Sequence, residues 1–139
     1  MPKSTILIMY SWDDFISQRR YRIISESPLM RQFNVRQCFA LDYDGDTTSE
    51  SELTQRLDIA FKKWLPEIFL MHTGVAFKRN HEIFLSALAM IHSKYPTVRL
   101  GFEPRPDSVD VCERSGLFEK SVEMEEIIDL FFTRVFERR

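Results

Sequence analysis

Short apolar runs alternate along this chain with segments of helical period, and this alternation strongly limits the folds available to it. Five runs have the length of strands: residues 5–10, 35–41, 67–71, 97–102 and 117–119. Five helical segments follow them in turn: residues 13–27, a helix capped by Ser49, residues 80–94, residues 107–114 and a helix capped by Ser121. The first run has no polar alternation, so both of its faces should be buried. We therefore predict an α/β class fold over a single domain, residues 1–139: a doubly wound five-stranded parallel sheet with right-handed crossovers.

Composition excludes several classes of protein. A length of 139 residues suits one domain, and 44% hydrophobic residues are enough for a core. With 19 basic and 21 acidic side chains there is no positive field, so nucleic acid is not expected as a partner. Two cysteines, Cys38 and Cys112, cannot form a disulfide framework and are expected to be reduced and buried. The first apolar run is too short to span a membrane, so a cytoplasmic location with no membrane partner is predicted.

The carboxyl ends of the predicted strands are where function is expected, because ligands gather there in open parallel sheets. The first strand leads into Tyr10-Ser11-Trp12-Asp13-Asp14, and the third leads into His72. The candidate pocket residues are Tyr10, Ser11, Asp13, Asp14, His72, Gly101 and Lys120.

Three segments resemble the receiver domain of bacterial response regulators. The stretch LPEIFLMHTG, residues 65–74, is similar to the segment in which a strand delivers the phospho-accepting Asp of that family. The stretch LFEKSVEMEEII, residues 117–128, is similar to the family's Lys-Pro turn and final helix, and Asp13-Asp14 resembles its acidic pair. The match in topology covers nearly the whole chain, the motif match is confined to these segments, and the resemblance implies a flavodoxin-like, receiver-like (βα)5 sandwich.

The chain departs from the receiver pattern at the positions that carry its chemistry. His72 stands at the acceptor Asp, Gly101 or Phe102 stands at the conserved hydroxyl residue, and Ser121 replaces the Pro after Lys120. Phosphoryl transfer to a receiver needs a carboxylate nucleophile and a divalent metal held by acidic oxygens, whereas an imidazole cannot form an acyl phosphate and is not a hard-oxygen ligand. The resemblance therefore implies a pseudo-receiver: a stand-alone signal-transduction module of two-component type that is not an enzyme and interacts with a protein partner without phosphorylation.

Each candidate residue also has a structural interpretation. His72 could be a phosphohistidine or a metal ligand, and it could equally be a hydrogen-bonded structural residue. Lys120 could contact an anion or a carboxylate in the pocket, or it could be a solvated loop lysine. Asp13 and Asp14 could simply favour the first turn of a helix, where the dipole stabilises negative charge. No cofactor is expected, and these two aspartates are the remaining candidates for a Mg²⁺ site.

The last helix carries more apolar residues than one buried stripe requires. The residues concerned are Phe131, Phe132, Val135 and Phe136. This pattern predicts either unusually deep packing or an exposed patch, and the final helix is a dimer surface in receivers. A homodimer through the last helix is therefore one predicted interaction.

Two alternative functions remain open. The opening stretch, residues 8–14, is similar to the start of TIR-type domains, some of which cleave NAD, with Glu82 or Glu103 as candidate carboxylates. Such an enzyme, or another nucleotide-binding α/β enzyme, would lack a Gly-rich phosphate loop here. A receiver with non-standard phosphorylation is the other alternative, although residues 71–73 contain no carboxylate.

Overall fold

The computed structural model describes residues 3–10, 15–39, 49–73 and 75–137. Four strands form one parallel sheet: β1 (Thr5–Tyr10), β2 (Asn34–Phe39), β3 (Ile68–Met71) and β4 (Arg99–Phe102). The helices are α1 (Phe15–Ser25), α2 (Leu29–Gln32), α3 (Glu50–Trp64), α4 (Val75–Lys94), α5 (Val109–Ser115), α6 (Val122–Asp129), a π-helical turn (Leu130–Arg134) and α7 (Val135–Glu137). The predicted parallel α/β class is confirmed.

The sheet has the strand order β2-β1-β3-β4. In its register Ile8 lies opposite both Gln37 and Leu70, and Leu70 lies opposite Gly101. This order fits a flavodoxin-like sheet without its last strand. All four strands are parallel, so their carboxyl ends meet at one edge of the sheet.

The prediction of a fifth strand is wrong, since in the described part of the chain segment 117–119 does not join the sheet as a strand. One backbone hydrogen bond ties it to β4, from the Glu119 N–H to the Leu100 carbonyl at 2.8 Å. Gly116, at φ 70°, ends α5 just before this segment, and the hydroxyl of Ser121 caps α6 just after it. The segment between the two helices therefore contacts β4 through this single backbone hydrogen bond and forms no ladder with it.

Apolar side chains are buried on both faces of the sheet, as the unbroken first run predicted. One face packs against α3 and α4, and its strand residues are Leu7, Met9, Phe69, Met71 and Leu100. The other face packs against α1, α2, α6 and the π-helical turn, and its strand residues are Ile6, Ile8, Tyr10, Val35, Ile68 and Leu70. The alternation between the faces follows from the two-residue period of a strand.

Two helix boundaries show how local sequence sets the fold. The Ser49 hydroxyl accepts a hydrogen bond from the Glu52 N–H at 3.2 Å, which is the predicted cap of α3. Helix α4 begins at Val75, earlier than predicted, and Asn80 has non-helical angles inside it (φ −125°, ψ 26°). The predicted start of this helix thus coincides with a kink in the observed one.

The π-helical turn explains the wide apolar run of the last helix. Its i→i+5 hydrogen bonding adds a residue to the turn, which changes the face that the following side chains present. Adjacent Phe131 and Phe132 both contribute to the core and are 0% and 7% exposed. Two of the four residues predicted for a dimer surface therefore lie in the interior.

Candidate functional site

The carboxyl ends of β1, β3 and β4 converge on a cluster built around Glu103. The His72 N–H donates to the Met9 carbonyl at 2.9 Å, and the Glu103 N–H donates to the Met71 carbonyl at 2.8 Å. These bonds continue the sheet pairing by one residue beyond the strands. The side chains of Tyr10, His72 and Glu103 consequently lie at the same edge.

The Glu103 carboxylate is 8% exposed and is contacted by three basic side chains. Arg20 Nη1 lies 2.6 Å from Oε2, Arg105 Nε lies 3.1 Å from Oε1, and His72 Nε2 lies 3.4 Å from Oε1. A buried carboxylate needs such partners to offset its lost hydration. Glu103 thus joins α1, the end of β3 and the loop after β4 in one ionic network.

Buried hydroxyl groups reinforce this connection. Thr73 Oγ1 donates to the backbone carbonyl of Glu103 at 2.8 Å, and Ser108 Oγ lies 3.3 Å from Thr73 Oγ1. Both residues are buried, at 1% and 3% exposure. The loop after β4 is therefore fixed to the end of β3 by side-chain hydrogen bonds as well as by charge.

Tyr10 forms the inner wall of the cluster. Its ring lies 5.6 Å from the His72 ring, measured between centroids, and its hydroxyl donates to Gln37 Oε1. Burial raises the pKa of the phenol well above its ordinary value. The Tyr10 side chain is therefore a neutral hydrogen-bond donor at physiological pH rather than a reactive phenolate.

The structure unites two of the predicted pocket residues, Tyr10 and His72, and places two others elsewhere. Gly101 lies inside β4, where a Cβ would come within 2.7 Å of Met124 Sδ. It is a close-packing position between the sheet and α6. Lys120 is 76% exposed and lies 3.7 Å from Glu113 on α5. Ser11, Asp13 and Asp14 lie outside the described residues.

The sequence prediction did not place Arg20 or Arg105 at this site. It noted Glu103 at the end of the fourth strand and as a candidate carboxylate in the TIR-like alternative, but did not include it among the pocket residues. Glu103 directly follows the fourth predicted strand, so its position at the strand end was a usable signal. Arg20 lies mid-helix in α1, and its contact with Glu103 depends on how that helix packs on the sheet. Periodicity alone does not determine that packing.

The described part of the strand-end edge does not fit the divalent metal of a receiver. Among the described residues, no group of three or more His, Cys, Asp or Glu side chains is placed to hold a metal ion. At the end of β3 the structure presents an imidazole, and the nearby Glu103 carboxylate contacts guanidinium groups. Chemically, this arrangement neutralises a buried carboxylate. It also fixes the carboxyl ends of β1, β3 and β4 against one another.

The residues predicted for the interface divide into two groups. Phe131 and Phe132 are buried, whereas Val135 and Phe136 are partly exposed and pack at the margin of the same core. The guanidinium carbon of Arg20 lies 5.0 Å from the centre of the Phe136 ring. The end of the last helix is thereby linked to the residue that pairs with Glu103.

None of the described helices combines the length and apolar character needed to cross a membrane.

Comparison with known proteins supports the fold. No protein-family model matches the chain, and no curated protein matches it either. A cobalamin-binding protein from Desulfitobacterium hafniense is similar in structure, with a TM-score of 0.56 at 13% identity. The match covers 91% of this chain and 56% of that protein, so this chain spans little more than half of its length. A fragment from Peptoclostridium difficile, provisionally named as a lipoprotein, has a TM-score of 0.43 at 13% identity over 72% of each chain.

Proposed function

We propose that this chain is a regulatory protein-interaction module on a receiver-like scaffold and works without phosphoryl transfer at the end of β3. The observation that carries the proposal is the environment of His72. It occupies the position that the resemblance gives to the acceptor carboxylate, is 3% exposed, and contacts Glu103 at 3.4 Å. The network of Arg20, Glu103 and Arg105 holds this edge together where a receiver would hold metal and phosphate.

The direct test is treatment with a small phosphodonor. The protein is incubated with acetyl phosphate and Mg²⁺, or with beryllofluoride and Mg²⁺, beside an authentic receiver as the positive control. Intact-protein mass spectrometry should find no phosphorylated species, and amide NMR signals around His72 and Glu103 should not shift. A stoichiometric phosphoprotein, or a saturable shift with beryllofluoride, would contradict the proposal and favour non-standard phosphorylation.

The proposed partner surface is the groove beside the last helix, and its proposed occupant is a second copy of the chain. A cavity of about 430 Å³ lies there between the α1–α2 junction and the end of the chain, lined by Leu29, Leu130 and Val135. Glu26 and Arg134 also line it. A groove that carries both an acid and a base can pair with its own copy across a two-fold axis.

Val135→Glu and Val122→Glu form a matched pair for testing this surface. Val122 is 72% exposed at the start of α6, away from the groove. Light scattering over a concentration series should show a dimer for the parent and for Val122→Glu, and a monomer for Val135→Glu. A monomeric parent, or a dimer that both variants retain, would contradict self-association through this groove.

A nucleotide-cleaving enzyme is the second candidate, and one observation favours it. Glu103 is a buried carboxylate at the carboxyl edge of the sheet, which is where open parallel sheets bind their ligands. Incubation with NAD, followed by chromatography of the products, separates the two candidates. The interaction module should release no nicotinamide, whereas turnover that is lost in Glu103→Gln would establish the enzyme.

Cobalamin, which the structural neighbour binds according to its name, is not proposed as a ligand of this chain. The similarity to that protein supports the fold alone. Among the described residues, the imidazole best placed to contact a ligand at the strand ends is His72, and it is buried against Tyr10 and Glu103. A corrin ring could reach it only if this network opened.

A further inference from the structure

A second recess lies beside β4 at the free edge of the sheet. Its volume is about 570 Å³, and it is bordered by the end of β4, the α5–α6 connection and α6. A fifth strand would cover this edge, but segment 117–119 approaches it with one backbone hydrogen bond. The volume falls within the range of about 300–1,000 Å³ that is typical of small-molecule sites.

The inner wall of this recess is aromatic and aliphatic. The rings of Phe102 and Phe118 lie 4.9 Å apart between centroids and are inclined at 60°. Both side chains are partly exposed, and Ile128 from α6 also lines the recess. Aromatic faces carry negative electrostatic potential, so this wall suits an apolar body and also attracts a cation.

The rim of the recess is acidic. Its carboxylates come from Glu113, Glu119, Glu125 and Asp129, against the single ammonium group of Lys120. Three of these four carboxylates already have basic partners: Glu119 is bound by Arg99, Asp129 lies 2.7 Å from Arg134, and Glu113 lies 3.7 Å from Lys120.

Glu125 is the carboxylate of this rim that is most available to a ligand. It forms no ion pair with another residue in the described part of the chain. It lies four residues before Asp129 on α6, so the two carboxylates share one helix face. The rim therefore offers negative charge directly beside an apolar wall.

We propose that this recess binds a small organic cation: a protonated amine carried on an aromatic or branched aliphatic body. The body would pack on Phe102 and Phe118, and the ammonium group would lie near Glu125 and Asp129. Each part matches a separate feature of the recess, its apolar wall and its acidic rim. The inference does not depend on the proposed regulatory role, since the recess is lined by other residues than the β3 end and the last-helix groove, and the Asp129–Arg134 pair joins its rim to that groove.

A charge-matched series of probes tests this directly. Phenylbutylamine, phenylbutanol and phenylbutyrate have nearly the same body and carry positive, zero and negative charge. Binding is followed by amide NMR titration of the full chain. The amine should bind about three- to tenfold more tightly than the alcohol, as expected for exposed charge and cation–π contacts, and the carboxylate should bind most weakly. Shifts should map to Phe118, Glu125 and Ile128.

Two variants test separately what the charge of the site and its apolar wall contribute to binding. Glu125→Gln with Asp129→Asn alters partly or fully exposed side chains, so the fold should survive, and the preference for amine over alcohol should disappear. Phe118→Ala should weaken the amine and the alcohol alike. Glu82→Gln, on an exposed position of α4 outside the recess, is the control and should change neither affinity.

The proposal is overturned if the amine and the alcohol bind equally to the parent protein, or if no probe binds at millimolar concentration. It is also overturned if the amine's shifts map to another surface, or if the double variant keeps the full preference for the amine. These results do not bear on phosphodonor treatment or on self-association, so failure here is distinguishable from failure of the proposed function.

Discussion

At the scale of single residues, Glu103 is the centre of the strand-end site. Its carboxylate is within 3.4 Å of Arg20, Arg105 and His72, and its backbone carbonyl accepts a hydrogen bond from Thr73. Removing one charged member of a buried ionic network leaves the charges of the other members without a partner to offset their lost hydration. The stability of the fold should therefore depend on this carboxylate more than on any exposed acid.

We expect Glu103→Gln to lower the free energy of unfolding by about 1–3 kcal/mol. Glutamine keeps the size of the side chain but removes the charge that Arg20 and Arg105 share. Both arginines are partly exposed, 23% and 36%, and can recover some hydration, which keeps the cost below that of a fully buried pair. Urea unfolding measures the change as a shift in midpoint at constant slope. Glu82→Gln is the control, and an equal effect in both variants would contradict this role of Glu103.

At the scale of elements, Arg99 joins β4 to the start of α6. Its guanidinium binds Glu119 through both carboxylate oxygens, at 2.7 and 2.5 Å, and reaches Glu123 at 2.8 Å. The hydroxyl of Ser121 also donates to Glu119 while it caps α6. These contacts partly replace the missing fifth strand, because they fix a short segment against β4 through side chains instead of a ladder.

This ionic bridge should make stability depend on pH. The hydrogen bond from Arg99, followed by that from Ser121, lowers the pKa of Glu119 from 4.5 to about 2. Because the folded-state pKa is below the unfolded value, the stabilisation is complete above about pH 4.5 and is lost as the pH falls towards 2. Glu119→Gln should cost about 1 kcal/mol at neutral pH, since the pair is partly exposed and screened.

Urea unfolding of the parent and of Glu119→Gln between pH 7 and pH 2 measures this dependence. The difference in stability between them should shrink as the pH falls through that interval. A difference that stays constant down to pH 2 would show that the Glu119 side chain contributes through packing rather than through its charge.

The elements also show what sequence could and could not predict. The four parallel strands followed from apolar runs, and the start of α3 followed from a local capping pattern at Ser49. The prediction of a fifth strand failed because Leu117 and Phe118 pack against the core through their side chains, while this segment makes one backbone hydrogen bond to β4. Phe131 and Phe132 are buried within a π-helical turn, and the pattern of apolar residues in the sequence gives no sign of such a turn. The contact from Arg20 to Glu103 is long-range and depends on helix packing.

Across the molecule, helices cover both faces of the sheet. The exposure of the two cysteines shows how completely this cover excludes solvent. Cys112 on α5 is 0% exposed and Cys38 on β2 is partly buried. Burial raises the pKa of both thiols to about 12. The reactive species is the thiolate, so both should be poorly reactive while the fold is intact.

Thiol reactivity should therefore measure opening of the whole fold. In a Cys38→Ser background at pH 8, Cys112 should react slowly with an aromatic disulfide reagent in the native protein and rapidly in urea. If exposure requires global unfolding, the rate follows the population of the open form. Glu103→Gln, destabilised as predicted above, should then accelerate the reaction by about five- to 140-fold, since each 1.4 kcal/mol is tenfold. A destabilised variant with an unchanged rate would instead show that Cys112 is exposed by local opening of α5, and that the two faces of the sheet do not unfold together.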